Sequence, residues 1–282
     1  MHIGFSMSCI DHEGNTRSEA RQLALQLKEQ FGLTSIEIIL EGVGRRHAPY
    51  PWEYTEEVLR ELEDFLEHFP RKGAHLPFYN MNVISVNPRV REDAMEQMRM
   101  AIEIAMRLKL DYAVVHATGT TEGLASDREP RRQFLAFSRL ARLCEGSSLK
   151  LSIENASNLH DIKQCVEMIN SLKDEGLPVS MTFDTGHANF PRVSPQDAPY
   201  KQFGDMAGAL EGCIEHLDNI HLHNNYGSSD QHLGLTDGTI DLKSCIERLR
   251  KLNYKGSLSI EVNPRVQDLS KEITTLQKWV DG

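Results

Sequence analysis

V-S-M-T-F-D-T-G-H-A-N, Val179 to Asn189, joins an apolar run to a carboxylate and an imidazole. Val179 to Phe183 has the β-branched and aromatic content of a buried strand. Asp184 and His187 follow it, with Thr185 and Gly186 turning the chain between them. An acid and a histidine three residues apart at the carboxyl end of a buried strand fit a metal-ligand pair. They also fit a capping aspartate followed by a hydrogen-bonded loop histidine. The rest of the chain weighs on that choice, because other strands end in the same way.

Working outward, short apolar runs alternate with amphipathic segments. Strands are expected at His2 to Met7, Ser35 to Leu40, Gly73 to Pro77, Asp111 to Thr118, Lys150 to Asn155, Asn219 to Asn224 and Gly256 to Val262. Helices are expected at Ser18 to Gln30, Glu53 to Phe69, Asn87 to Lys109, Pro130 to Cys144, His160 to Lys173, Met206 to Leu217, Asp241 to Asn253 and Leu269 to Val280. Asn87 before Pro88 is a favoured helix start, since proline's missing N–H is not needed there. Buried parallel strands read as continuous apolar runs, as most of these do. Eight βα units in 282 residues, with no linker between them, predict an α/β fold closed as a (β/α)8 TIM barrel, residues 1–282 forming a single domain. An open doubly wound sheet would call for a Gly-rich first turn, and M-S-C-I-D-H-E-G-N does not supply one.

Composition narrows the function. Acids outnumber bases by 41 to 31, a formal charge of -10, which argues against a partner with a phosphate backbone such as nucleic acid. Five cysteines without C-x-x-C spacing argue against a disulfide scaffold or a zinc ribbon and fit a reducing cytoplasm. Met1 to Ile10 lacks the pattern of a signal peptide, and no apolar run is long enough to span a bilayer, so no membrane partner is expected.

In a (β/α)8 barrel the chemistry sits at the carboxyl ends of the strands. Those ends carry His75, His116, Glu154, Asp184 with His187, His221 with His223, and Glu261, and Asp230-Gln231-His232 follows shortly after. Each histidine alone reads as a hydrogen-bonded core residue. Gathered at one rim, so many ionisable groups would be costly unless a cation neutralised the carboxylates. Imidazole and carboxylate donors without thiolate suit zinc or manganese.

The blocks H-L-P-F-Y-N, V-V-H-A-T-G, S-I-E-N, F-D-T-G-H-A-N, H-L-H-N-N, D-Q-H-L-G-L-T-D-G-T-I-D and S-I-E-V resemble the xylose isomerase-like barrel superfamily, in order and over nearly the whole chain. That group includes sugar isomerases and epimerases and endonuclease IV-type enzymes. The epimerase resemblance implies one divalent ion on Glu154, Asp184, His221 and Glu261. It makes the two glutamates acid and base on opposite faces of a ketose, with His187 holding a substrate oxygen. The endonuclease IV resemblance implies a three-zinc cluster on His75, His116, Glu154, Asp184, His187, His221, Asp230, His232 and Glu261, cleaving phosphodiesters beside abasic sites.

The reading adopted from the sequence is a divalent-metal-dependent isomerase or epimerase acting on a small sugar by proton transfer beside a carbonyl. Phosphoester hydrolysis is the alternative, and a homo-oligomer stays open. Three features lean away from DNA: the acidic charge, the start I-G-F-S-M-S-C without the histidine of endonuclease IV-like sequences, and Phe78-Tyr79 after His75. Two departures touch the loop after strand seven: Asn224 stands where an aspartate is usual, and Thr236 replaces the first glycine of a G-x-G turn. The loop Glu41 to Tyr54 would lie over the same rim. There Arg45 and Arg46 would grip an anion and Tyr50, Trp52 and Tyr54 cover a sugar face, unless those aromatics pack on neighbouring helices. Arg128 to Arg132 reads as the decoration of a helix start.

Overall fold

Each βα unit is written as an apolar strand, a polar turn and a capped amphipathic helix, and the computed structural model joins eight such strands into a ring. It describes residues 1–10, 16–41, 48–116, 130–159, 161–191, 198–263 and 268–282. The strands are β1 (His2–Ser6), β2 (Ser35–Ile39), β3 (Arg71–His75), β4 (Tyr112–Val115), β5 (Lys150–Glu154), β6 (Val179–Asp184), β7 (Leu217–Leu222) and β8 (Ser257–Ile260). Neighbours pair in parallel in chain order, and β1 pairs with β8 to close the barrel. The fold is therefore the expected (β/α)8 TIM barrel.

The principal helices packed around it are α1 (Arg17–Phe31), α2 (Glu56–Leu66), α3 (Pro88–Arg107), α4 (Pro130–Leu143) and α5 (Ile162–Asp174). A short α6 (Thr185–Asn189) is followed by α7 (Met206–Gly212), α8 (Leu242–Lys251) and α9 (Leu269–Asp281). Their starts are set by side-chain caps: Thr16, Thr55, Asn87, Asp161, Asp205, Asp241 and Asp268 each accept a backbone N–H of the first turn. Each such cap is worth about 1 kcal/mol.

Three expectations are corrected. The second helix begins at Glu56, after a separate 3-10 turn over Pro51–Glu53, because Thr55 takes the cap. The helix at Met206 stops at Gly212. Cys213 leaves helical geometry at φ -122°, and Leu217 belongs to β7, paired with Met181. Thr185 and Gly186 are not a plain turn: they open α6, with Asp184 as its cap. Residues 117–118, 128–129 and 160, where the sequence reading placed a strand end, a basic run and a helix start, lie outside the described residues, as do Arg45 and Arg46.

The apolar core fills the space between barrel and helices, and the five cysteines lie buried in it as free thiols. The inside of the barrel is polar by contrast. Ser35, Glu37, Ser152, Thr182, Asn219, Ser257 and Ser259 have no exposed surface. They are paired, as buried polar groups must be: the Ser35 and Ser257 hydroxyls are 3.2 Å apart, and those of Ser152 and Thr182 2.7 Å. No helix among the described residues is long and apolar enough to cross a membrane.

Candidate metal centre

Parallel strands deliver all their carboxyl ends to one rim, so the ligand-type residues meet there by topology alone. His75, Glu154 and Asp184 are the last residues of β3, β5 and β6, and His221 lies one residue from the end of β7. His116 and Glu261 stand one position beyond β4 and β8. Sheet register sets Asp184 directly opposite His221. All nine residues expected at the site converge into one connected cluster.

Glu154 is its hub. One carboxylate oxygen lies 2.9 Å from His116 Nε2 and 3.6 Å from both His75 Nε2 and His221 Nδ1. The other lies 2.9 Å from His187 Nδ1. Glu261 lies 3.1 Å from His221 Nδ1, and Asp184 3.8 Å from the same nitrogen. Beyond His187, Asp230 is 3.1 Å from His187 Nε2 and 3.3 Å from His232 Nε2.

Among the described residues, four groups of three donor atoms each lie within 4.8 Å of one another: His75–His116–Glu154, Glu154–Asp184–His187, Asp184–His221–Glu261 and His223–Asp230–His232. Glu154 and Asp184 each belong to two of them, which links the first three. These oxygen and imidazole donors, without thiolate, match what zinc or manganese takes, so the residues fit a divalent ion.

Electrostatics favour the charged forms of the carboxylates and of His187, His221 and His232. Burial opposes ionisation of Glu154, but the imidazoles of His116, His187 and His75 hold it well below the usual carboxylate range. Asp184 is lowered in the same way against its burial by His187 and His223, and Asp230 by His187 and His232. Burial depresses His187 and His221, yet the carboxylates of Asp184 and Asp230 around the first, and of Glu37 and Glu261 around the second, raise both. His232 is pushed up to about 10 against its burial, chiefly by Asp230. His116 goes the other way: burial lowers it despite Glu154.

The motif blocks are stitched to one another. Asn155 of S-I-E-N brackets the Asp184 backbone, its Nδ2 donating to the carbonyl at 3.0 Å and its Oδ1 accepting the N–H at 2.7 Å. The Thr185 hydroxyl donates to the His223 carbonyl at 2.8 Å. Asn225 Nδ2 donates to the Gly186 carbonyl at 2.9 Å, and Asn189 Nδ2 to Asn225 Oδ1 at 2.8 Å. Gly186 is glycine for a visible reason: a Cβ there would run into the His223 ring. D-T-G-H-A-N and H-L-H-N-N thus form one hydrogen-bonded unit.

The two departures in the loop after β7 are accommodated. Asn224 Nδ2 donates to the carbonyls of Leu235 and Ile240 at 3.1 and 3.0 Å, and its Oδ1 accepts the Ile240 N–H at 3.0 Å. Thr236 is exposed, while the retained Gly238 lies against Asn224, where a Cβ would not fit. In the loop after β2, Tyr54 packs against the core, whereas Tyr50 stacks on Trp52 at 4.7 Å and Trp52 stays exposed.

Two residues escaped the ligand-set reading. His223, noted at the end of strand seven but left out of that set, joins Asp230 and His232. Its ring stacks on His232 at 3.9 Å, and its Nε2 lies 3.1 Å from Asp184. Glu37, inside β2, contacts His221 from within the barrel. Its signal was present as a lone acid in the apolar run S-I-E-I-I-L.

Comparison with known proteins agrees with the architecture. A Methanocaldococcus jannaschii protein named as uncharacterized is 29% identical over 222 residues, 73% of this chain and 69% of the relative. The structure of a D-tagatose 3-epimerase-like protein superposes with a TM-score of 0.77 at 23% identity, covering 100% of this chain and 97% of that one. A Thermus thermophilus protein soaked with zinc chloride gives 0.70 at 21% identity, covering 100% and 98%. Likenesses at this identity carry the fold. The family profile described as xylose isomerase-like TIM barrel matches residues 25–279, and to that family the chain belongs.

Proposed function

We propose that this chain is a divalent-metal-dependent isomerase or epimerase of a small sugar or sugar derivative. The observation that carries the reading is the convergence of Glu154 and Glu261 on the same His221 nitrogen, at 3.6 and 3.1 Å. Two carboxylates gathered at one such site can serve as the base and the acid of a proton transfer, one on each face of a substrate carbon. Glu154, Asp184, His221 and Glu261 would hold the ion, which when bound polarises a carbonyl and the hydroxyl beside it. One glutamate takes the proton from the carbon next to the carbonyl, and the other returns a proton to the opposite face. The reprotonated carbon is the epimer. His187 would hold a substrate oxygen; its two ring nitrogens lie 2.9 Å from Glu154 and 3.1 Å from Asp230, so that oxygen would take the place of one of these carboxylates. The D-tagatose 3-epimerase-like neighbour supports the sugar class. The formal charge of -10 speaks against nucleic acid as the substrate.

Hydrolysis of a small phosphoester is a second reading. It is favoured by donors beyond the four a single ion needs: His75 with His116, and His223 with Asp230 and His232. The test is solvent-deuterium incorporation into a panel of ketoses by the metal-loaded protein. The sugar reading predicts one label at the carbon beside the carbonyl, lost in Glu154→Gln and Glu261→Gln. Release of phosphate from sugar phosphates without any labelling would overturn it.

A further inference from the structure

We infer that Glu37, buried inside the barrel, is the positioning residue that dictates which nitrogen of His221 faces the metal centre. The inference rests on the reading of that centre as a divalent-ion site. Glu37 lies in the middle of β2 with no exposed surface. Its sheet partners are β1 and β3, so its side chain crosses the barrel interior to reach β7. There both carboxylate oxygens lie against His221 Nε2, at 3.1 and 3.0 Å. A carboxylate this close holds a proton on Nε2, so Nδ1 is the nitrogen that gives up its proton when an ion binds. Nδ1 is the atom that faces Glu261, Glu154 and Asp184.

Glu37 is itself held. Asn219 Nδ2 donates to it at 3.0 Å, and the Ser259 hydroxyl donates to Asn219 Oδ1 at 2.8 Å, which turns the amide N–H toward Glu37. Among the described residues its hydrogen-bond partners are Asn219 and His221. A buried carboxylate with no lysine or arginine beside it is costly to keep. The relay from Ser259 through Asn219 and Glu37 to His221 gives that charge a use. It fixes the ring's tautomer and rotation and makes Nδ1 a stronger donor, as carboxylates behind ligating histidines do elsewhere.

The experiment measures Zn2+ affinity by chelator competition in the wild type and in Glu37→Gln. It is paired with long-range proton–nitrogen spectra of the histidine rings in the zinc-loaded wild type. Glu37→Gln should bind zinc about 10- to 100-fold more weakly, with circular dichroism unchanged. The wild-type spectrum should show His221 with its proton on Nε2 and the ion on Nδ1. Equal affinity in the two proteins overturns the role of Glu37 while leaving the metal reading intact. A wild type that binds no zinc contradicts that reading, and this inference with it. Should Glu37→Gln fail to fold, the wild-type spectrum decides alone, and a ring coordinated through Nε2 overturns the proposal.

Discussion

The inner and outer parts of the rim are built from the same residue types but are held differently. Glu154, Asp184, His221 and Glu261 all lie within one residue of a strand end, and sheet register sets Asp184 opposite His221. Asp230 and His232 ride on the loop after β7, with side chains still 27% and 30% exposed. That loop is shaped by side-chain amides: Asn224 inside it, and Asn225 bonded to Gly186 and Asn189. Register is shared among many backbone hydrogen bonds and resists single changes, whereas an amide network fails when one donor is lost. Changes to the inner carboxylates should therefore damage chemistry and spare the fold. Changes to the outer loop should disturb local geometry first.

The largest contrast is expected in turnover. Glu154→Gln and Glu261→Gln should each lower kcat by about 10^2- to 10^4-fold while thermal melting stays close to that of the wild type. Steady-state kinetics on the labelled ketose and a melting curve check both halves, and wild-type kcat in either variant would break the contrast. A smaller effect is expected at Asn224→Asp. That change installs the residue usual in this family, yet it removes the donors that satisfy Leu235 and Ile240. It should cost about 1–3 kcal/mol in denaturant unfolding, and an unchanged midpoint would show that the loop does not depend on the amide.

The smallest effect concerns pH. His187, His221 and His232 are raised above their ordinary value of 6.5 by the carboxylates around them, against their burial. Raised folded values stabilise below the unfolded value, and the benefit fades as pH climbs through the folded one, about 10 for His232. Chelator-treated protein should accordingly melt at a lower temperature near pH 9 than near pH 6.5, and zinc should narrow the difference. Scanning calorimetry reads this directly. A chelated protein that is more stable at the higher pH would contradict the charge assignment.

Much of the inner rim was legible because a strand followed by a ligand-type residue leaves a linear trace, as in F-D-T-G-H and S-I-E-N. Barrel topology then does the gathering. Glu37 was not legible as a partner of His221, since that contact joins residues 184 positions apart across the barrel interior. Periodicity marks which face a residue takes, not which residue it meets. His223 was visible, but its membership of the outer group depends on how the loop folds back to stack His232 on it. The end of the helix at Gly212 was missed because apolar content continues from it into β7, with Cys213, Ile214 and Leu217.

The measurement that bears most directly on the account is metal content per chain after zinc loading and gel filtration, in the wild type and in Asp230→Ala combined with His232→Ala. An inner site held by strand ends and an outer site held by a loop predict more than one zinc in the wild type. The double variant should lose an ion and keep the inner one, which Glu154→Gln in turn should weaken. Protein that retains no zinc would contradict the metal centre itself, and an identical single ion in both proteins would contradict its division into two parts.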